Sequence, residues 1–147
     1  LATPPFELKA LAWLPAWVAT DEILFYIGHR CLHSRFLYHK IHKWHHKYPK
    51  STAITSFYGH PVDIGFTVGA ALMGPIATMW YGGAPVPASI LAWYIYLAVA
   101  TFISSHHTTT HTNVNASHHA HHRQFIVNYG NYTWGLDAWF GTRAAAK

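Results

Sequence analysis

From Ile64 to Ser105 the chain carries no charged side chain and no histidine. The segment is interrupted once, by Tyr81-Gly-Gly-Ala-Pro-Val-Pro87, a run of turn-forming residues. Each arm, Ile64 to Gly82 and Ala88 to Ser105, approaches the roughly 20 residues that cross a hydrocarbon core. A helical hairpin satisfies every backbone group inside a bilayer, which an extended apolar stretch cannot do. Two buried helices of a soluble protein would need a partner core, and a chain of 147 residues offers little for one. Ahead of the first arm, Gly59-His60-Pro61-Val62-Asp63 predicts a helix start, with Pro in the first turn and Asp near the positive end of the dipole.

A hairpin returns the chain to the side it left, so its two flanks meet. Both flanks are rich in histidine. His29 to His46 holds six, and His106 to His122 holds seven in seventeen residues. Imidazoles titrate in one range, so crowding them costs charge repulsion unless something keeps them neutral and convergent. A bound metal does this. The spacings fit. His29 and His33 stand at i, i+4, and so do His107 and His111, which stacks each pair on one helical face. His42, His45 and His46 repeat as HxxHH, as do His118, His121 and His122. Ten imidazoles exceed what one centre with open positions can use, so two centres are expected. The doublets His106-His107 and His118-His119 leave the register open by one residue. His39, His60, His106 and His119 are left over, each expected behind the ligands or at the surface, with His39 and His60 the candidates for a place behind them.

Composition narrows the class. Half of the residues are hydrophobic and 10% are charged, against about 25% in soluble domains. Residues 8–28 form a further apolar run broken by Pro15 and Asp21-Glu22, an imperfect membrane helix whose carboxylates lie either at an interface or at a functional position inside. Arg35, Lys40, Lys43, Lys47 and Lys50 surround the first histidine group, which places that loop on the cytoplasmic side and offers a face to an acidic partner. The basic residues sit among membrane-like segments, so nucleic acid is not expected as a partner. A single cysteine, Cys31, excludes an internal disulfide and any Cys-based metal site. A chain that starts at Leu1 without a basic leader reads as a piece of a longer protein.

The acidic residues are Glu7, Asp21, Glu22, Asp63 and Asp137, and none lies within a histidine group in sequence. A di-zinc hydrolase would want a bridging carboxylate and a carboxylate base, so hydrolysis is disfavoured. Iron with nitrogen ligands and open positions suits oxygen activation. Asn128, Tyr129 and Gly130 are expected to shape a turn near the metals, and Asp137 to orient a ligand imidazole from behind. A membrane metal-transport or zinc-buffering protein is the rival from another class. A transporter would place ligands at mid-membrane, whereas no histidine falls between Pro61 and Ser105.

In order, F-Y-I-G-H-R-C-L-H, H-K-I-H-K-W-H-H-K-Y, G-H-P-V-D, H-T-T-T-H, and H-H-A-H-H-R-Q-F-I-V-N-Y-G ending in F-G-T all fall within residues 21 to 142. Together they resemble the fatty acid hydroxylase / sterol desaturase superfamily of membrane-bound non-haem di-iron enzymes. H-P-V-D and the run ending in N-Y-G are most similar to sterol C-5 desaturases. H-T-T-T-H and F-G-T are closer to sterol C-4 methyl oxidases and fatty acid hydroxylases. The resemblance implies an all-α, multi-pass membrane fold with a histidine-rich cytosolic cap, formed by residues 1–147 as one domain that lacks the family's earlier membrane helices. It implies two iron ions, held by His29, His33, His42, His45, His46, His107, His111, His118, His121 and His122. It also implies O2, electrons from NAD(P)H through a cytochrome b5-type donor, a membrane lipid (a sterol first) as substrate, and the endoplasmic reticulum in a eukaryote. Hydroxylation or desaturation would follow from substrate placement.

Overall fold

The computed structural model describes residues 12–49, 55, 58–81, 93, 94, 98, 113–133 and 135–145, with the side chains of residues 81 and 113–117 excepted. The regular elements among these residues are all helices, with no strand among them. Helix α1 (Leu14–Leu32) begins with Pro15 in its first turn, where the missing N–H has no intrahelical partner to lose. It runs unbroken through Asp21, Glu22 and His29. Ser34, in extended conformation, starts α2 (Arg35–Lys40), and a tighter 3-10 turn follows over His42–Lys47. Helix α3 (Pro61–Tyr81) starts where the sequence predicts, at Pro61 with Asp63 in the first turn. Nδ1 of His60 accepts the Val62 N–H at 3.2 Å and so caps this end. Helices α4 (Asn113–Gln124) and α5 (Gly135–Trp139) complete the set.

Helices α1 and α3 pack antiparallel, because small residues let them approach. Near one end Trp17 lies on Gly74, where an added Cβ would sit 2.9 Å from the Trp17 Cα. Near the other, Gly28 faces the tip of the Phe66 ring, which a Cβ at that position would overlap. Trp17 Nε1 donates to Thr78 Oγ1 at 3.1 Å, and that hydroxyl donates on to the Pro75 carbonyl at 2.9 Å. Trp17, Ala71 and Trp93 form the buried apolar cluster, the two indoles meeting edge to face at 5.9 Å.

Residues Pro61–Trp80 of α3 are long and apolar enough to cross a membrane, with mean hydropathy 1.4. This is the single such helix among the described residues. Val68, Met73, Ile76 and Trp80 on α3, with Ile23 and Ile27 on α1, are exposed, an apolar outer surface of the kind that lipid covers. The Tyr81–Pro87 turn lies almost wholly outside the described residues, and so does the second arm apart from Trp93, Tyr94 and Ala98.

Asp21 and Glu22, for which the sequence left two positions open, are both buried. They face the C-terminal segment. Glu22 accepts the N–H groups of Asn131, Tyr132 and Thr133 and the Thr133 hydroxyl at 2.8–3.2 Å. Asp21 accepts the Tyr132 hydroxyl at 2.7 Å. These bonds hold the segment after α4 against the middle of α1, close to His29.

Candidate metal centre

The histidines sort into two groups. His29, His33, His42, His46 and His121 form one, and His45, His118 and His122 the other; within each group, one ligand atom per residue lies within 4.8 Å of all the rest. The partition cuts across the sequence motifs. Within the 3-10 turn, His42 and His46 join the first group and His45 the second. Within α4, His121 joins the first and His118 and His122 the second. Adjacent positions on a helix point about 100° apart, so each motif serves both groups.

Protons decide what the first group can do. His29 Nδ1 is 2.9 Å from the Tyr129 carbonyl, and His121 Nδ1 is 2.6 Å from the Val127 carbonyl. A carbonyl only accepts, so both Nδ1 atoms must carry the hydrogen. His42 Nδ1 meets the Asp63 carboxylate at 2.7 Å with the same consequence. In its neutral form, each of the rings of His29, His42 and His121 therefore has a bare Nε2 lone pair. Yet His29 and His42 bring their Nε2 atoms to 3.1 Å of one another, and His46 Nε2 sits 3.1–3.2 Å from those of His33, His42 and His121. One Nε2 proton cannot bridge so many acceptors. Convergent lone pairs without donors repel, and a cation at their focus turns that repulsion into ligation.

The surroundings favour the neutral form of His29, His33, His46 and His121 in the first group and of His45, His118 and His122 in the second. Burial first, then repulsion from neighbouring imidazoles, holds His121, His118 and His46 well below the usual histidine range. The same causes bring His33 to about 3 and His122 to about 4. Neutral, convergent and largely buried nitrogen donors fit a transition-metal ion in each group.

The sequence family agrees with the site. A family model described as fatty acid hydroxylase matches residues 14–142, which include every histidine of both groups. The chain belongs to the fatty acid hydroxylase family. A very-long-chain aldehyde decarbonylase of Oryza sativa subsp. indica is 30% identical, with 97% of this chain and 61% of that protein covered. A methylsterol monooxygenase of Arabidopsis thaliana is 31% identical, over 77% of this chain and 44% of its own length. A Delta(7)-sterol 5(6)-desaturase of Aspergillus fumigatus is 29% identical, over 89% and 48% respectively. The chain spans about half the length of the curated relatives it matches. No solved structure matches it.

Within this fatty acid hydroxylase domain, eight of the ten histidines proposed as ligands from sequence occupy the two groups. His107 and His111 lie outside the described residues, as does His106. His39 is exposed beside Tyr38, with ring centroids 5.6 Å apart, and His60 caps α3 and packs on Trp44 at 5.2 Å. Neither makes a contact with an imidazole of either group among the described residues.

Asp137 acts at one remove from the imidazoles. It accepts the Tyr129 and Gly130 N–H groups at 2.8 Å each and the Thr142 hydroxyl at 2.7 Å, fixing the peptide whose carbonyl receives His29 Nδ1. Asn128 has left-handed backbone, φ 56°, which asparagine tolerates, and its Oδ1 accepts the Ala144 N–H at 2.9 Å. Phe125, with φ 65°, is the first residue after α4; its left-handed turn sends the chain back so that Val127 reaches His121. In the closing F-G-T, Gly141 supplies the positive φ and Thr142 links Asp137 to the Tyr26 hydroxyl.

Two acidic residues escaped the sequence reading. Asp63 looks like a helix-start residue, and its contact with His42 closes across 21 positions. Its H-P-V-D motif was the available signal. Glu22 left no local signal, because its partners lie at residues 131–133.

Two clefts flank Tyr38. One, of about 540 Å³, is lined by Tyr38, Lys43, Trp44, His46, Lys47 and Tyr58, along with His39. The other, of about 260 Å³, is lined by His33, Arg35, Tyr38, Phe125, Ile126 and Tyr129. Each reaches a histidine of the first group.

Proposed function

We propose that this chain is the metal-binding domain, residues 1–147, of a membrane-bound di-iron oxidoreductase. It uses O2 and NAD(P)H-derived electrons to hydroxylate or desaturate a lipid, a sterol first among candidates. The observation that carries the reading is the convergence of bare Nε2 atoms in the first group, at 3.1 Å for His29 and His42. Family membership and relatives named as a methylsterol monooxygenase and a sterol desaturase support it. His29, His33, His42, His46 and His121 would hold one ion. His45, His118 and His122 would hold the other, and His107 and His111 complete the proposed ligand set.

The bound metals supply the one-electron and oxygen chemistry. The protein's own contribution is specific. The Tyr129 and Val127 carbonyls and Asp63 keep the proton on Nδ1 of His29, His121 and His42, so that Nε2 stays free for the metal. The smaller cleft, walled by Phe125, Ile126 and Tyr129 beside His33, is apolar enough to present a lipid C–H bond. The larger, bordered by Lys43 and Lys47, suits an acidic protein donor of the cytochrome b5 type. Membrane insertion by a hairpin containing α3, with the histidines cytosolic and the endoplasmic reticulum as the site in a eukaryote, completes the reading.

Anaerobic purification with metal analysis, followed by product analysis with a sterol and with an acyl lipid, tests it. Two irons per chain and O2-dependent oxidation of the sterol are expected. Zinc-only protein with hydrolytic turnover, or zinc movement across vesicles without oxidation, would replace this reading.

A further inference from the structure

Among the described residues, one carboxylate touches an imidazole of either group: Asp63, through His42. Both side chains are buried, and the 2.7 Å separation is that of a charge-assisted hydrogen bond. The other ring partners on Nδ1 are neutral carbonyls, of Tyr129, of Val127, and of Tyr58 at a long 3.4 Å for His45 in the second group. Asp21, Glu22 and Asp137 are engaged with Tyr132, residues 131–133 and the Tyr129–Gly130 turn. The two groups therefore differ by one negative charge placed directly behind a donor ring.

We propose that Asp63 is a positioning residue that makes the five-histidine group the tighter of two unequal metal sites. The inference rests on the two-metal reading above. Asp63 does two things to His42. It fixes the tautomer, since the carboxylate accepts the Nδ1 hydrogen and Nε2 is left to the metal. It also fixes the ring's aim, because Asp63 sits in the first turn of the 21-residue helix α3 and cannot drift independently of it. The His42 Nε2 so aimed lies 3.1 Å from both His29 Nε2 and His46 Nε2, at the focus of the group. The carboxylate's charge, shared into the ring through the short hydrogen bond, strengthens donation to a cation and favours its higher charge state.

The test is titration of the metal-free full chain in detergent with cobalt(II) alone, read by visible absorption and calorimetry. Wild type, Asp63→Asn and Asp63→Ala are compared, with thermal unfolding of each metal-free protein as a folding control. The wild type should take up two cobalt ions in two separable steps. Asp63→Ala should weaken the tighter step by roughly 10–100-fold and leave the other in place. Asp63→Asn should fall between, because the amide oxygen still accepts the Nδ1 hydrogen but brings no charge. Two wild-type steps that persist unchanged in both variants overturn the inference and leave the metal reading standing. The same holds if both steps weaken together in step with a lower unfolding temperature, which is the result of a role in starting α3 alone. No cobalt uptake by the wild type overturns the metal reading and the inference with it.

Discussion

Glu22 accepts the backbone N–H of Tyr132 at 2.8 Å, across 110 positions of sequence. With Asn131 and Thr133 it receives four hydrogen bonds, so one carboxylate in the middle of α1 gathers the segment that follows the histidine-bearing helix α4. Glu22→Ala leaves those donors without their charged acceptor and should cost about 3 kcal/mol. Glu22→Gln, which keeps one acceptor oxygen, should cost less. Thermal unfolding in detergent ranks the three proteins, and an alanine variant as stable as wild type would contradict the anchoring role.

The α1–α3 contact makes a prediction of contrast. A Cβ at Gly74 meets the Trp17 Cα at 2.9 Å, which is backbone and can yield only if the helices part. A Cβ at Gly28 meets the far end of the Phe66 ring, which can swing away. Gly74→Ala should therefore destabilise by about 1–3 kcal/mol. Gly28→Ala should lose less and recover in combination with Phe66→Leu. Unfolding midpoints of wild type and the three variants decide the order.

His121 is fully buried within the first group, while His39 is exposed beside Tyr38. His121→Ala should lose bound iron and all oxidation product, and His39→Ala should retain its iron. His45→Ala, in the second group, should behave as His121→Ala does. Iron content and product formation measured side by side check this; full activity in His121→Ala or His45→Ala would remove those residues from the ligand set.

Lys43 and Lys47 border the larger cleft, and Lys47 lies over the rings of Tyr48 and Tyr58 at 5.8 and 5.4 Å. Reversing both lysines to glutamate should slow turnover driven by a protein donor, and wild-type turnover should fall as ionic strength rises. Turnover driven by a small chemical reductant should be unaffected. Equal donor-driven rates in variant and wild type would confine the lysines to membrane topology.

The start of α3 was legible because its determinants are local: Pro61 in the first turn, Asp63 beside it, and no charge for the length of the helix. The histidine clusters were legible as candidate metal sites for a related reason, since i, i+3 and i+4 spacings are set by helical geometry before any packing occurs. The chain order of these motifs also carried the family. The allotment of each histidine was not in the sequence. His45 and His46 are neighbours in the chain and belong to different groups, because successive positions of a 3-10 turn point about 120° apart and send their rings away from one another. Nor could spacing reveal that Glu22 serves residues 131–133 or that Asp63 stands behind His42. A carboxylate states only that it needs donors when buried. Which donors it finds depends on the helices packed beside it, here α1 and α3 drawn together at Gly28 and Gly74. Sequence alone determined the kinds of donor and their local periodicity, since both are covalent and short-range. The tertiary structure decided which lone pairs share a focus and which protons are held away from it, since convergence exists only once distant segments are packed.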